Sequence, residues 1–234
     1  GNEILCGGDG GLSYSINGGS TFDDRNEGVR IKQFYAGAIH PNLPNYFLAG
    51  AQDNGVHQLN SPGLASSLEV IGGDGGFVHI DENEPQYQFG AYTNAQYRRS
   101  TNGGSSWSNH NFSASAGLFI NPTDYDDMNN NFYGSWDANF YTCWTNAPAS
   151  GNHTEFNLSE LGGSKVTHVA VSRYATNRIF LGSANGTILK VESANTSPTA
   201  TAIKGTGMPA SNVSCIATGT TDNNLLATFS NYGA

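Results

Sequence analysis

The chain has 234 residues, enough to bury a core without disulfide staples, and only 12% of them are charged while 30 are glycine. Few charges, many turn formers and little helical periodicity argue against a helical protein. The net charge of −9, with no basic run longer than Arg98-Arg99, argues against a nucleic-acid partner, and no apolar stretch of about 18 residues offers a membrane span.

The opening Gly1-Asn2-Glu3 runs straight into a strand with no signal peptide, so the expectation is a processed or excised piece. Ile4 to Cys6 and Leu12 to Ser15 read as strands around the turn Gly7-Gly8-Asp9-Gly10-Gly11, and a second turn, Asn17-Gly18-Gly19, ends at Phe22. The next unit has strands Phe34 to Ile39, Tyr46 to Gly50, Val56 to Leu59 and Leu68 to Ile71. Its turns are His40 to Asn45, Gln52 to Gly55 and Asn60 to Ser66, and Gly72 to Gly76 leads onward.

The third unit predicts strands Phe77 to Ile80, Gln88 to Tyr92, Gln96 to Ser100 and a last one near Ser108 to Phe112. In the fourth, Leu118 to Ile120 is expected as the inner strand, followed by a long turn from Asn121 to Asn131, strands Phe132 to Trp136 and Phe140 to Trp144, and an outer strand His153 to Leu158. The fifth places strands at Val166 to Val171, Arg178 to Gly182, Thr187 to Val191 and Thr199 to Ile203. A further pair, Val213 to Thr218 and Leu225 to Phe229, closes the chain.

Taking Gly8, Gly50, Gly90, Gly134, Gly182 and Thr228 as equivalent gives a repeat of roughly 44 residues, the size of a four-stranded propeller blade. The fold class is therefore all-β, a β-propeller of four-stranded antiparallel blades. The blade units are 1–30, 31–72, 73–115, 116–163, 164–208 and an incomplete 209–234. Together they make about five blades, expected to belong to a larger ring of about six to eight. Cys6, Cys143 and Cys215 lie in separate repeats without metal-ligand spacing and read as small apolar strand residues.

The segments Ser15-Ile16-Asn17-Gly18-Gly19-Ser20-Thr21-Phe22 and Ser100-Thr101-Asn102-Gly103-Gly104-Ser105-Ser106-Trp107 resemble Asp-box (BNR) repeats, whose pattern is Ser-x-Asp-x-Gly-x-Thr-Trp. Both carry Asn for Asp, and the first has Phe for Trp. With Ala51-Gln52-Asp53-Asn54-Gly55 and Gly72-Gly73-Asp74-Gly75-Gly76, nearly the whole chain is similar to sortilin/xyloglucanase-like propellers of secreted bacterial proteins. That resemblance implies a secreted or cell-surface location. It leaves activity open, because such propellers include hydrolases, receptors and proteins without chemistry.

Propeller geometry sends the links between first and second strands, and between third and fourth, to one side of the ring. The remaining links go to the second side. Asp9, Asp53, Asn54, Asp74, Asn94, Asp137 and Asn185 belong to that second side, with the aromatics Tyr92, Trp136, Phe77 and Tyr232 near the same rim. Carboxylates and amides there would suit sugar hydroxyls or a hard cation such as calcium, although the same residue types are what tight turns require. Phe77 is expected in the core.

The function expected is a non-catalytic module binding a polysaccharide or a protein through this face, with no required cofactor. The alternative is a two-carboxylate glycoside hydrolase using Asp53 or Asp74 with Asp137. A sialidase is disfavoured by the scarcity of arginine, and hydrolase elbows, phosphate loops and zinc helices are absent from the sequence. The acidic group Asp124, Asp126 and Asp127 reads as a solvated turn on the opposite side.

Overall fold

A computed structural model describes residues 1–8, 11–27, 32–63, 65–110, 116–203 and 205–230. The chain separates into two units, Gly1–Gln33 and Phe34–Ala234. The first holds a three-stranded antiparallel sheet, β1 (Ile4–Gly8), β2 (Gly11–Ser15) and β3 (Asp23–Asp24).

The second unit is a β-propeller. Its first blade is β4 (Phe34–Ile39), β5 (Phe47–Ala51), β6 (Gly55–Leu59) and β7 (Leu68–Ile71). The second is β8 (Val78–Ile80), β9 (Gln88–Ala91), β10 (Tyr97–Ser100) and β11 (Ser108–Asn109). The third is β12 (Thr123–Asp126), β13 (Asn131–Gly134), β14 (Phe140–Trp144) and β15 (Thr154–Asn157), and a 3-10 turn at Ser159–Leu161 follows it. The fourth is β16 (Val166–Val171), β17 (Ile179–Ser183), β18 (Ile188–Glu192) and β19 (Thr199–Ile203), and a two-stranded sheet of β20 (Asn212–Thr218) and β21 (Leu225–Ser230) completes the unit. Among the described residues no helix is long and apolar enough to cross a membrane.

The apolar residues of these strands do not form one central core. They pack in slabs between neighbouring blades, because each sheet has two faces to cover and its neighbours are the only apolar surfaces within reach. Phe89 and Tyr97 of the second blade meet Tyr125, Phe132 and Trp144 of the third, with Phe132 and Trp144 rings 5.4 Å apart. Tyr133, Tyr141 and Cys143 of the third meet Val169, Ile179 and Leu181 of the fourth, and Phe180 and Ile188 of the fourth meet Val213 and Ile216.

The glycine recurring in second strands has a steric cause. A Cβ on Gly50 would stand 1.8 Å from the carbonyl oxygen of Gly76, one on Gly90 2.6 Å from Ile71, and one on Gly182 2.5 Å from Val213. At these three positions the neighbouring blade comes close enough to leave no room for a side chain.

Two expectations are corrected. The inner strand of the third blade is Thr123–Asp126, five residues later than Leu118 to Ile120. Asp124 and Asp126 thus belong to a strand, and Asp126 is only 2% exposed, where a solvated turn was expected. Tyr125 accounts for this: its ring fills the slab against Phe89, which requires an extended backbone on either side of it. Asp9, Tyr232 and the expected strand end at Phe112 lie outside the described residues. Cys143 is buried, which pushes its thiol up to about 12, whereas Cys6 and Cys215 sit in strands but face solvent.

Candidate functional site

The inner strands β4, β8, β12 and β16 run side by side in orientation, and the turns that leave them share one construction. At the start of each turn a side-chain acceptor takes the backbone N–H groups two and three residues ahead. His40 Nδ1 accepts from Asn42 and Leu43 at 3.1 and 3.2 Å, and Asp81 Oδ1 from Asn83 and Glu84 at 2.8 Å each. Asp126 Oδ1 accepts from Met128 and Asn129 at 3.0 and 3.2 Å, and Ser172 Oγ from Tyr174 and Ala175 at 3.0 Å each. Short polar side chains favour this because they satisfy turn amides that no strand partner can reach.

The repeat fixes what stands around it. The residue after each acceptor is Pro41, Glu82, Asp127 or Arg173, and the residue two before it is Ala38, His79, Asp124 or Ala170. Six of these eight positions, Ala38, His79, Glu82, Asp124, Asp127 and Arg173, line a cavity of about 560 Å3. Three acidic residues with open surface, Glu82, Asp124 and Asp127, thus border a space whose lining carries one permanent cation, Arg173, and the buried Asp126 lies beneath them.

Hydrogen bonds between blades hold the wall. Tyr125 donates to Asp81 Oδ2 at 2.8 Å, and Glu82 N–H donates to Asp127 Oδ1 at 2.6 Å. Val171 N–H donates to Asp124 Oδ2 at 2.6 Å, and His79 Nε2 lies 2.9 Å from Thr123 Oγ1. Each joins an inner strand or its turn to the next blade, and Asp124 and Asp127 are held there by backbone N–H groups rather than by flexible side chains.

Burial sets the protonation states. It lifts Asp124 to about 6 against the opposing N–H bonds of Val171 and Tyr125 and the charge of Arg173. Burial likewise lifts Asp127 to about 7, helped by the charges of Asp81 and Glu82 and opposed by the Glu82 N–H. His79 falls to about 4 for the same reason. The contact of 3.8 Å between His79 and Asp124 therefore joins a neutral imidazole to a carboxylate at pH 7 and is not an ion pair. The Asp124 side chain keeps 33% of its surface open, and the residue lines the cavity.

On the second side, the turns between second and third strands bond to the links that join blades. Asp53, at φ 56°, donates its N–H to Asp74 Oδ1 at 2.9 Å, and Asn54 Nδ2 donates to Gln52 O. The Tyr35 hydroxyl is raised by burial and then by the charges of Asp74 and Asp53, so these three form one local group. Asn94, at φ 54°, donates to Phe119 O at 3.2 Å. Asp137 Oδ1 accepts from Ala138 N–H at 2.7 Å. Asn185 accepts from Ser183 and Thr187 and donates to Leu161 O.

Tyr92 lines a smaller groove of about 310 Å3 with Arg98 and Trp107, whereas Trp136 packs partly buried against the slab between the second and third blades and Phe77 is half-buried. The structure thus brings Asp53 and Asp74 together and holds Asp137 and Asn185 by separate local bonds. The acidic mouth on the first side was missed from sequence. The signal that finds it is the repeated acceptor, which aligns Asp126 with Asp81 and so sets Asp127 beside Glu82.

No protein-family profile and no curated protein matches this sequence. Solved structures do match in fold. YCF48 from Cyanidioschyzon merolae superposes with a TM-score of 0.57 at 13% identity, covering 92% of this chain and 71% of that one. YCF48 bound to D1 peptide gives 0.61 at 13% identity over 97% and 71%. An ancestral GH74 enzyme gives 0.51 at 15% identity over 81% of this chain but only 29% of the enzyme.

Proposed function

We propose that this protein is a non-catalytic binding propeller, and that its ligand is a polypeptide segment carrying basic side chains, received at the acidic mouth on the first side. The observation that carries this reading is the cavity at the ends of four inner strands, where Glu82, Asp124 and Asp127 line the wall with Arg173 alone among permanent cations. A pocket rimmed by positioned carboxylates attracts and orients cationic groups, and an overall charge of −9 extends that attraction outward. The fold similarity to a propeller bound to a peptide supports a protein ligand.

The test is titration of the chain with oligolysine, uncharged and oligoglutamate decapeptides. Oligolysine should bind best, and Glu82→Gln with Asp127→Asn should weaken it about tenfold, roughly 1.4 kcal/mol. Equal binding of all three peptides, or no response to the double substitution, would sink the proposal.

A second reading is favoured by one observation. Asp124 and Asp127 face one cavity with raised pKa values, and a protonated carboxyl beside an ionised one is the arrangement used in glycoside cleavage. Fold similarity to a GH74 enzyme is compatible with it. Release of reducing sugar from plant or algal polysaccharides, abolished by Asp124→Asn, would support hydrolysis here, and abolition by Asp137→Asn would instead move it to the second side.

Assignment to the Asp-box type is supported by two turns with one hydrogen-bond pattern. Ser15 and Ser100 each accept from the glycine four residues on at 2.9 Å and donate to Asn17 and Asn102. A secreted or surface location belongs to the same reading and rests on the resemblance and composition.

A further inference from the structure

Blade four carries two arginines, and the fold uses only one of them. Arg178 is clamped: its Nε donates to both carboxylate oxygens of Glu192 at 3.0 and 2.9 Å, and its Nη1 donates to Asp222 Oδ2 at 2.6 Å. Arg173 is exposed and, among the described residues, its side chain forms no hydrogen bond and no ion pair. It nevertheless lines the acidic cavity.

The repeat explains where this cation stands. Pro41, Glu82, Asp127 and Arg173 each follow directly on the turn acceptor of their blade, and the last three line the cavity. From blade to blade that one position is therefore uncharged, acidic, acidic and then basic. The acids nearest to Arg173 are engaged elsewhere. Asp124 accepts the Tyr125 N–H on one oxygen and the Val171 N–H on the other, and Asp127 Oδ1 takes the Glu82 N–H. Burial raises Asp124, and the Arg173 charge is near enough to oppose that rise, yet the guanidinium keeps its donors for something outside the fold.

We propose that Arg173 makes the mouth selective for mixed charge: the polypeptide it takes carries a carboxylate beside its basic side chain, with the carboxylate on Arg173 and the basic group on Glu82 and Asp127. This inference rests on the reading of the mouth as a peptide site and adds a second requirement to it. A guanidinium grips a carboxylate through two parallel N–H groups, so an acidic side chain gains a directed contact there. A run of lysine alone instead sets like charge against Arg173, which discriminates against it.

The probes are lysine decapeptides in which each central position in turn is replaced by Glu or by Gln, titrated against the full chain. At one position or more the Glu peptide should bind about threefold more tightly than its Gln counterpart, the strength of a partly exposed ion pair. Arg173→Gln should abolish that preference and raise the affinity for plain oligolysine about threefold, because a repelling cation is gone. A merely structural role for Arg173 would weaken every peptide alike and would overturn the proposal. So would a mouth that binds oligolysine but prefers Glu over Gln at no position, or a preference that survives Arg173→Gln. If plain oligolysine fails to bind, or ignores Glu82→Gln with Asp127→Asn, the peptide reading of the mouth itself falls and takes this inference with it.

Discussion

Asp124 accepts a hydrogen bond of 2.6 Å from the backbone N–H of Val171, so the inner strand of one blade is tied to the next by a carboxylate that burial holds near pKa 6. The same group serves as a structural clasp and as part of the wall of the acidic cavity. Its neighbour Asp127 repeats the arrangement with Glu82, and the coupling of charge, burial and blade contact leads to the following expectations.

Asp127→Asn should stabilise the protein at pH 8 and not at pH 3.5. The folded pKa of Asp127, about 7, lies above its usual 3.8. Its contribution is fully present below about 4 and is lost as pH rises through 7, because the native state must then release a proton it prefers to keep. Asparagine keeps the acceptor for the Glu82 N–H and never ionises. Thermal unfolding should show a gain of at least about 1 kcal/mol at pH 8, or a few degrees in Tm, which shrinks steadily below pH 7 and vanishes near pH 3.5.

Binding of oligolysine should weaken as pH falls from 8 to 5. Asp127 and then Asp124 gain protons across this window, removing up to two negative charges from the mouth. Calorimetric titration at several pH values checks this, and Asp124→Asn with Asp127→Asn should flatten the dependence.

Gly50→Ala should be far more damaging than Gly134→Ala. The new methyl at Gly50 meets backbone, the Gly76 carbonyl at 1.8 Å, which cannot move without parting two blades. At Gly134 it meets the Tyr97 hydroxyl at 3.0 Å, the tip of a side chain. Denaturant unfolding should show a loss above about 3 kcal/mol for the first and about 1 kcal/mol for the second.

Ser100→Ala removes the acceptor for the Gly104 N–H at 2.9 Å and the donor to Asn102 Oδ1 at 2.9 Å. Both groups sit in a turn whose Trp107 indole donates to Gly104 O at 3.1 Å. A loss of about 1–2 kcal/mol is expected in chemical unfolding, because a half-buried amide is left without a partner.

Much of the architecture was legible in the linear chain, and the residues say why. Gly50, Gly90, Gly134 and Gly182 recur because blades approach there, and strands such as Ile179–Ser183 are apolar at every position because both faces are covered. The fourth unit misled because Thr123-Asp124-Tyr125-Asp126 has two acids in four positions, and isolated acids signal loops. Its alternation, with Tyr125 inward, was the better guide. The aspartates and asparagines of the second side were legible as turn formers, and the structure gives them turn duties: Asp74 holds the Asp53 N–H and Asn185 reaches Leu161.

Composition, spacing and repeat length by themselves determined an all-β chain of recurrent four-stranded sheets, because backbone geometry and turn chemistry act over a few residues and leave their mark locally. Only the tertiary structure decided that Glu82, Asp124 and Asp127 line one cavity and that the Asp124 carboxylate reaches the Val171 N–H of the next blade. Those facts depend on which blades meet, at what register and with how much water left between them. Desolvation and strand neighbours are properties of that assembled arrangement, and no short stretch of sequence contains them.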